Sequence, residues 1–261
     1  MTALQRRFEV AQAACAKAAE LAISMQPPPG IGAGTLKGAQ DWLTEADGAV
    51  ERFLSDAMLA AFPEDGFQGE EGGAARSGTL RWVVDPIDGT SNFAHGGARW
   101  TVSLGLIEDR TALLGVLAAP RLGDTYAAIA GGGATLNGAP IHAAATTELS
   151  RAMVECGWSP RRPTPDYIAL CSRVMTAGSM MRSGGSGALG LAEVAAGHID
   201  AYVEMHINLW DVAAALAILA EAGATVSNFL GGPGLTQGAP ILAAAPGIAE
   251  ALRVVADLPL D

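Results

Sequence analysis

The apolar residues of this chain change their spacing twice along its length, and that change constrains the fold more than any single motif. Over residues 3–25, Leu4, Phe8, Ala11, Cys15, Ala18, Leu21, Ala22 and Met25 recur at three-and-four spacing, which predicts an amphipathic helix. Residues 27–34 (PPPGIGAG) end it, because consecutive prolines remove backbone donors and the glycines loosen the chain after them, so a mobile loop is expected there. Thr44 precedes a second helical pattern, with Val50, Phe53, Leu54, Met58 and Ala61 on one face and Pro63 closing it. From Leu80 the apolar runs shrink to strand length, at 80–84, 102–107, 112–118 and 125–130, punctuated by Gly, Asp-Arg and Gly-Asp. Asn137-Gly138 is a hairpin-type turn signal between weak strands. Beyond residue 145 helical and extended patterns alternate: 188–196, 212–221 and 248–255 read as helix, 199–203, 224–226 and 241–244 as strand. The expected class is layered α/β (α+β), with an antiparallel half over residues 1–145 and an α/β half over 146–261. No repeat or long linker separates the halves, so they should be tightly apposed.

Composition narrows the partners. The 261 residues carry 27 acidic and 16 basic side chains, a formal net charge of −11. With apolar types at 50% and charged types at 16%, the chain has too much hydrophobe for disorder. No Lys/Arg run exceeds two, which argues against tracking a nucleic-acid backbone. The longest apolar runs fall far short of the ~20 residues that span a bilayer. Arg6-Arg7 is not followed by a signal-peptide apolar region. Cys15, Cys156 and Cys171 fit neither a disulfide framework nor a zinc site and read as free thiols in a cytoplasmic protein.

In a chain this poor in charge, the places where carboxylates gather are informative. Val83-Val84-Asp85-Pro86-Ile87-Asp88-Gly89-Thr90-Ser91 sets one carboxylate at the end of an apolar strand and a second three residues on. Two such groups repel and lose hydration, which a hard divalent cation with oxygen ligands offsets. The following Gly89-Thr90-Ser91 backbone, opening a short helix, would aim N–H groups at an anion beside that metal. Glu70-Glu71, after a short extended segment, and Asp211, at the start of an apolar helix, can join the set. Taken singly, each has a plainer account: Asp211 as a helix N-cap, Glu70-Glu71 as a solvated turn, Asp-Pro-x-Asp-Gly as a tight turn. Taken together they point to a metal-assisted phosphoryl site.

Asp85-Pro-Ile-Asp88-Gly89-Thr90-Ser91-Asn92-Phe93 with Ala94-His95-Gly96 resembles the first signature of the inositol monophosphatase family of magnesium-dependent, lithium-sensitive phosphatases. Trp210-Asp211-Val212-Ala213-Ala214 resembles its second, Gly69-Glu70-Glu71 its metal-binding glutamate segment, and the stretch from Lys37 to Asp47 its mobile loop and Asp-bearing segment. The resemblance implies an αβαβα sandwich, a homodimer and two to three Mg2+ per site. It implies Glu70, Asp85 and the Ile87 carbonyl at the first ion, Asp85, Asp88 and Asp211 at the second, and a weaker third near Glu70. Asp47 and Thr90 would orient and activate water, and the amides of Gly89 and Thr90 would hold phosphate. Lys37 would lie on the closing loop. Gly185, Ser186, Gly187 and Glu204, with Asp88 and Asp211, would face the alcohol. Ser91 where Thr is common and Ala98 where Pro is frequent leave this assignment standing.

Inositol monophosphate or a related polyol phosphate is the favoured substrate, with histidinol phosphate as the alternative. Two other readings compete. Gly185-Ser-Gly-Ala-Leu-Gly190 is a literal G-x-G-x-x-G with Glu204 downstream, the layout of a dinucleotide site, but the segment before it is a poor buried strand. A phosphatase-like regulatory binding protein would be favoured by a missing ligand, and every ligand position here is filled. His95 is expected to make a helix-end hydrogen bond rather than bind metal, and His206 to face either substrate or solvent. His142 and His198 have no neighbours that suggest chemistry.

Overall fold

The computed structural model describes residues 2–30, 32, 34–38 and 41–259. Helix α1 (Ala3–Met25) starts where the Thr2 hydroxyl accepts the Gln5 N–H at 3.0 Å, and buries a stripe of Ala11, Cys15, Ala18 and Ala22. A ribbon of β1 (Thr35–Gly38) and β2 (Asp41–Leu43) leads into α2 (Glu45–Ala61). Then come β3 (Gly66–Gly69), β4 (Gly73–Arg76), β5 (Leu80–Asp88), the short α3 (Thr90–Ala94), β6 (Thr101–Glu108), β7 (Thr111–Ala119), β8 (Asp124–Ile129), β9 (Ala134–Leu136) and β10 (Ala139–Pro140). These strands form an eight-stranded sheet in the order β10-β9-β8-β7-β6-β5-β3-β4, antiparallel except between β3 and β5. Asn137 and Gly138, both at positive φ, turn β9 into β10 as their sequence predicts.

The remaining chain runs β11 (Met153–Cys156), α4 (Thr164–Thr176), β12 (Met180–Arg182), α5 (Gly187–Ala195), β13 (Ala201–Ile207), α6 (Leu209–Glu221), β14 (Thr225–Val226), α7 (Gly234–Gln237), β15 (Ala239–Ala244) and α8 (Ala249–Ala256). Its five strands pair in the order β12-β11-β13-β15-β14. Period-two alternation sorts the side chains into three cores. Trp82 and Val84 of β5 face α1 and α2, while Val83 faces α5 and α6. Ile241 and Ala243 of β15 meet α5 and α6 from the other side, and Leu242 and Ala244 meet α4 and α8. The layers are therefore α1/α2, large sheet, α5/α6, small sheet, α4/α8, which is the αβαβα sandwich.

One close approach seats the central layer. Gly105 and Gly115 are cross-strand partners on β6 and β7, and a Cβ built on Gly115 would run into the Ala214 carbonyl oxygen of α6. Only hydrogen side chains let the helix backbone rest on the sheet there. The expected strands all form. The first is longer than its apolar run, because β5 continues through Pro86 to Asp88 across a register shift against β6. The ribbons β1–β2 and β3–β4 and the unit β11-α4-β12 have no counterpart in the apolar spacing, since their segments are short and mix polar with apolar residues.

Candidate active site

Asp85 and Asp88 stand at the C-terminal end of β5, where the shift against β6 brings both to the rim of the sheet. Between them, still within β5, the Ile87 N–H donates back to Asp85 Oδ1 at 3.0 Å. Gly89 follows at φ 87°, and a Cβ there would lie 2.9 Å from the Arg99 carbonyl, so glycine is required for the chain to turn into α3. The Thr90 hydroxyl then donates to the Ile87 carbonyl at 2.8 Å.

The third carboxylate arrives from α6. Asn208 caps that helix, and Asp211 is its third residue, accepting the Asn208 N–H at 2.8 Å. The expected N-cap role thus belongs to Asn208, and Asp211 closes the capping box. It also joins the cluster: one oxygen each from Asp85, Asp88 and Asp211 lies within 4.8 Å of the others. Cap and ligand candidate are one residue because the first turn of α6 points at the end of β5.

Burial raises the pKa of all three groups. Asp85 is pushed well above the carboxylate range by burial and by the charges of Glu70, Asp88 and Asp211. Asp88 is pushed up to about 7 by burial and by Asp211, although the Ser186 hydroxyl and the N–H groups of Gly187 and Ala188 donate to it. Asp211 is raised by burial and shares a hydrogen bond with Asp85. No Lys or Arg forms an ion pair with any of the three among the described residues. An all-oxygen anionic set held together against its own repulsion fits a hard divalent cation such as magnesium.

Glu70 follows β3 and its charge bears on Asp85, yet it lies outside the group of three. Its turn is held by Glu51 of α2, which accepts the Glu71 N–H at 2.8 Å and the Gly72 N–H at 2.6 Å. Sequence reasoning missed Glu51, which reads there as one more polar position on an amphipathic helix. Asp47 is fully buried. Its Oδ2 accepts the Thr44 N–H and hydroxyl, each at 2.7 Å, while Oδ1 has no partner among the described residues. Lys37 lies on β1, but its side chain is outside the described residues, as are Ile31 and Ala33 of the expected loop.

A cavity of about 340 Å³ opens over the cluster, lined by Glu70, Asp88, Gly89, Thr90 and Asp211 on one side and by Gly185, Ser186, Gly187, Tyr202 and Glu204 on the other. The glycine turn spends its donors on Asp88, which occupies the place a dinucleotide phosphate would need. That turn also follows the three-residue edge strand β12 rather than a central strand. The dinucleotide reading is thereby removed. Glu204 accepts the Tyr202 hydroxyl at 2.5 Å, and burial lifts its pKa to about 8. Gly157 has to be glycine, since a Cβ would collide with both of those side chains. His95 Nδ1 pairs with the Ser91 carbonyl at 2.8 Å, the expected helix-end bond. His206 lines the cavity with Nε2 on the Gln237 carbonyl at 3.0 Å. Tyr202 and the loop from Gly157 to Arg161 carried no signal in the sequence.

Comparison with known proteins places the chain's family and fold. Residues 3–257 match the model of the inositol monophosphatase family. An inositol-1-monophosphatase of Rhizobium meliloti is 35% identical over 230 residues, covering 87% of this chain and 86% of that one. A Nus factor SuhB of Xylella fastidiosa is 37% identical over 198 residues, covering 75% and 72%. The solved structure of an inositol monophosphatase from Anabaena superposes with a TM-score of 0.84 at 30% identity, covering 99% and 98%.

Proposed function

We infer, for a chain that belongs to the inositol monophosphatase family, a magnesium-dependent phosphomonoesterase that hydrolyses inositol monophosphate or a related polyol phosphate with water as nucleophile. The observation that carries this reading is the trio Asp85, Asp88 and Asp211, two of them buried and the third half-buried, with no ion pair to Lys or Arg among the described residues and set against a cavity of small-substrate size.

Asp85, Asp88, Asp211, Glu70 and the Ile87 carbonyl are the groups that would hold two to three ions. Bound there, magnesium polarises phosphoryl oxygens, raises the acidity of water and offsets charge on the leaving oxygen. The N–H groups of Gly89, the N-cap of α3, and of Thr90, its first residue, would bind the phosphate oxygens. The Thr90 hydroxyl donates its hydrogen bond to the Ile87 carbonyl, so its lone pairs are free to accept a hydrogen bond from the attacking water and orient it. Asp47 Oδ1, buried and unpartnered among the described residues, provides the second acceptor that fixes that water. Glu204 and the turn at Gly185, Ser186 and Gly187 face the alcohol. The three cysteines are free and buried, which supports a reducing, cytoplasmic setting, and no helix is long and apolar enough to cross a membrane among the described residues.

Phosphate release from inositol 1-phosphate and histidinol phosphate, measured side by side with and without magnesium, tests the reading. Inositol 1-phosphate should be the better substrate, and added lithium should inhibit uncompetitively. A preference of about tenfold for histidinol phosphate would replace the substrate and leave the mechanism. No metal-dependent release from either would favour the second reading, a regulatory protein like the relative named as a Nus factor.

A further inference from the structure

Two adjacent arginines leave the loop between β11 and α4 in different directions. Arg162 reaches forward to Asp166, one helical turn on, at 3.9 Å. The Arg161 guanidinium has no hydrogen-bond or ion-pair partner among the described residues, and it lines the cavity over the acidic cluster beside Trp158, Ser159 and Ser183. No other Lys or Arg lines that cavity among the described residues.

The backbone of the loop that carries Arg161 is held at several points. Pro160 and Pro163 fix their φ angles on either side of it. Buried Ser159 accepts the Arg161 N–H on its hydroxyl at 3.3 Å and the Arg162 N–H on its carbonyl at 3.2 Å. Gly157, two residues before Ser159, is anchored to the Val203 carbonyl at 2.9 Å, which ties the loop to the strand that carries Glu204. The guanidinium's field reaches across the cavity to both Glu204 and Asp211, favouring their ionised forms.

In the reading above, the cluster carboxylates are matched by metal ions and the phosphate by the Gly89 and Thr90 amides. That leaves Arg161 as a cation on the wall the alcohol faces, without a hydrogen-bond or ion-pair partner among the described residues. A neutral alcohol would leave it so. An alcohol with a second anionic group would engage it through charge-assisted, two-pronged hydrogen bonds, which a guanidinium favours over other donors.

We propose that Arg161, with the hydroxyls of Ser159 and Ser183, forms a subsite for a second anionic group on the alcohol, so that this chain prefers phosphate monoesters of acidic or doubly phosphorylated polyols over those of neutral ones. The proposal rests on the phosphomonoesterase reading and, within the polyol phosphates that reading names, sets the acidic and doubly phosphorylated esters ahead of inositol monophosphate. The test compares kcat/KM for fructose 1,6-bisphosphate and 3-phosphoglycerate, which carry a second phosphate or a carboxylate, with that for inositol 1-phosphate and glycerol 2-phosphate. It uses the full chain with magnesium and the variants Arg161→Ala, Arg161→Glu and Arg161→Lys. The unsubstituted protein should favour at least one of the doubly anionic esters. Arg161→Glu should cut that preference by about tenfold or more, the scale of one hydrogen bond between charged groups, through KM rather than kcat. Arg161→Lys should keep part of it, and which ester responds identifies the second group. An unsubstituted protein that favours the neutral alcohols, or a preference that Arg161→Glu leaves within about threefold, overturns the subsite while phosphate release continues. No metal-dependent release from any of the four esters removes the phosphomonoesterase reading and the subsite with it.

Discussion

Asp211 shows how much work one side chain does in this protein. It closes the cap of α6 through the Asn208 N–H and places an oxygen within 4.8 Å of oxygens of Asp85 and Asp88. Asp211→Asn can keep the cap while deleting a charge from the cluster. Phosphate release should fall by about a thousandfold, the scale of losing one preorganised charged group. The metal-free variant should melt no lower than the parent, because like-charge repulsion is relieved. Near-normal turnover would sink the assignment. The pH dependence of stability follows from the same crowding. Asp88 titrates at about 7 and Glu204 at about 8, both raised, so the folded metal-free protein holds protons that the unfolded chain releases. Their contribution to stability is full below the unfolded carboxylate pKa of about 4 and is lost as pH rises through those folded values. Thermal melts in chelator should therefore drift down from about pH 4 to about pH 8, and Glu204→Gln should flatten the upper end. A parent Tm that climbs over the whole interval would contradict this account.

Helix α6 can present Asp211 to β5 only because the sheet beneath it is bare. Gly115→Ala would drive a methyl into the Ala214 carbonyl, so the helix must lift. The expected cost is about 1–3 kcal/mol of overpacking, read as a lower urea midpoint, with weaker magnesium binding as Asp211 moves from the cluster. Gly232→Ala is the control, since a Cβ there meets nothing within 4 Å. Equal midpoints for the two variants would show that the helix does not need this seat. The turn after β3 depends in the same way on α2. Glu51→Gln removes one carboxylate acceptor from the Glu71 and Gly72 N–H groups, so the Glu70 turn loosens. Magnesium should then bind more weakly while the helix content seen by circular dichroism stays unchanged. Unaltered magnesium affinity would place Glu51 outside the support of the site.

The whole molecule is one packing unit rather than two beads. Helices α5 and α6 come from residues 146–261, yet they bury Val83, Ile107 and Leu117 of the large sheet. Residues 1–145 expressed alone should expose that face and fail to give a cooperative unfolding transition, and a sharp two-state melt would argue for independent domains. A homodimer is expected from the family resemblance, and sedimentation at micromolar concentration should show it; a lone monomer species would remove it. The sequence by itself determined the class of the elements with clear apolar spacing, though not of β1 to β4, β11, α4 or β12: the three-and-four spacing of α1, the short apolar runs of β5 to β8, and the Asn137-Gly138 turn all act over a few residues, where local sterics and burial dictate the outcome. It also determined the chemistry of the cluster, because carboxylates are few and gather at strand and helix ends. Only the tertiary structure decided that Asp211, more than a hundred residues from Asp85 and Asp88, meets them across a glycine-paved sheet. It likewise decided that Glu51 props the Glu70 turn, that the donors of Ser186, Gly187 and Ala188 go to Asp88, and that Arg161 rather than Arg162 faces the cavity. Those outcomes depend on which backbones approach within hydrogen-bond distance after the layers pack, a property that no local spacing encodes.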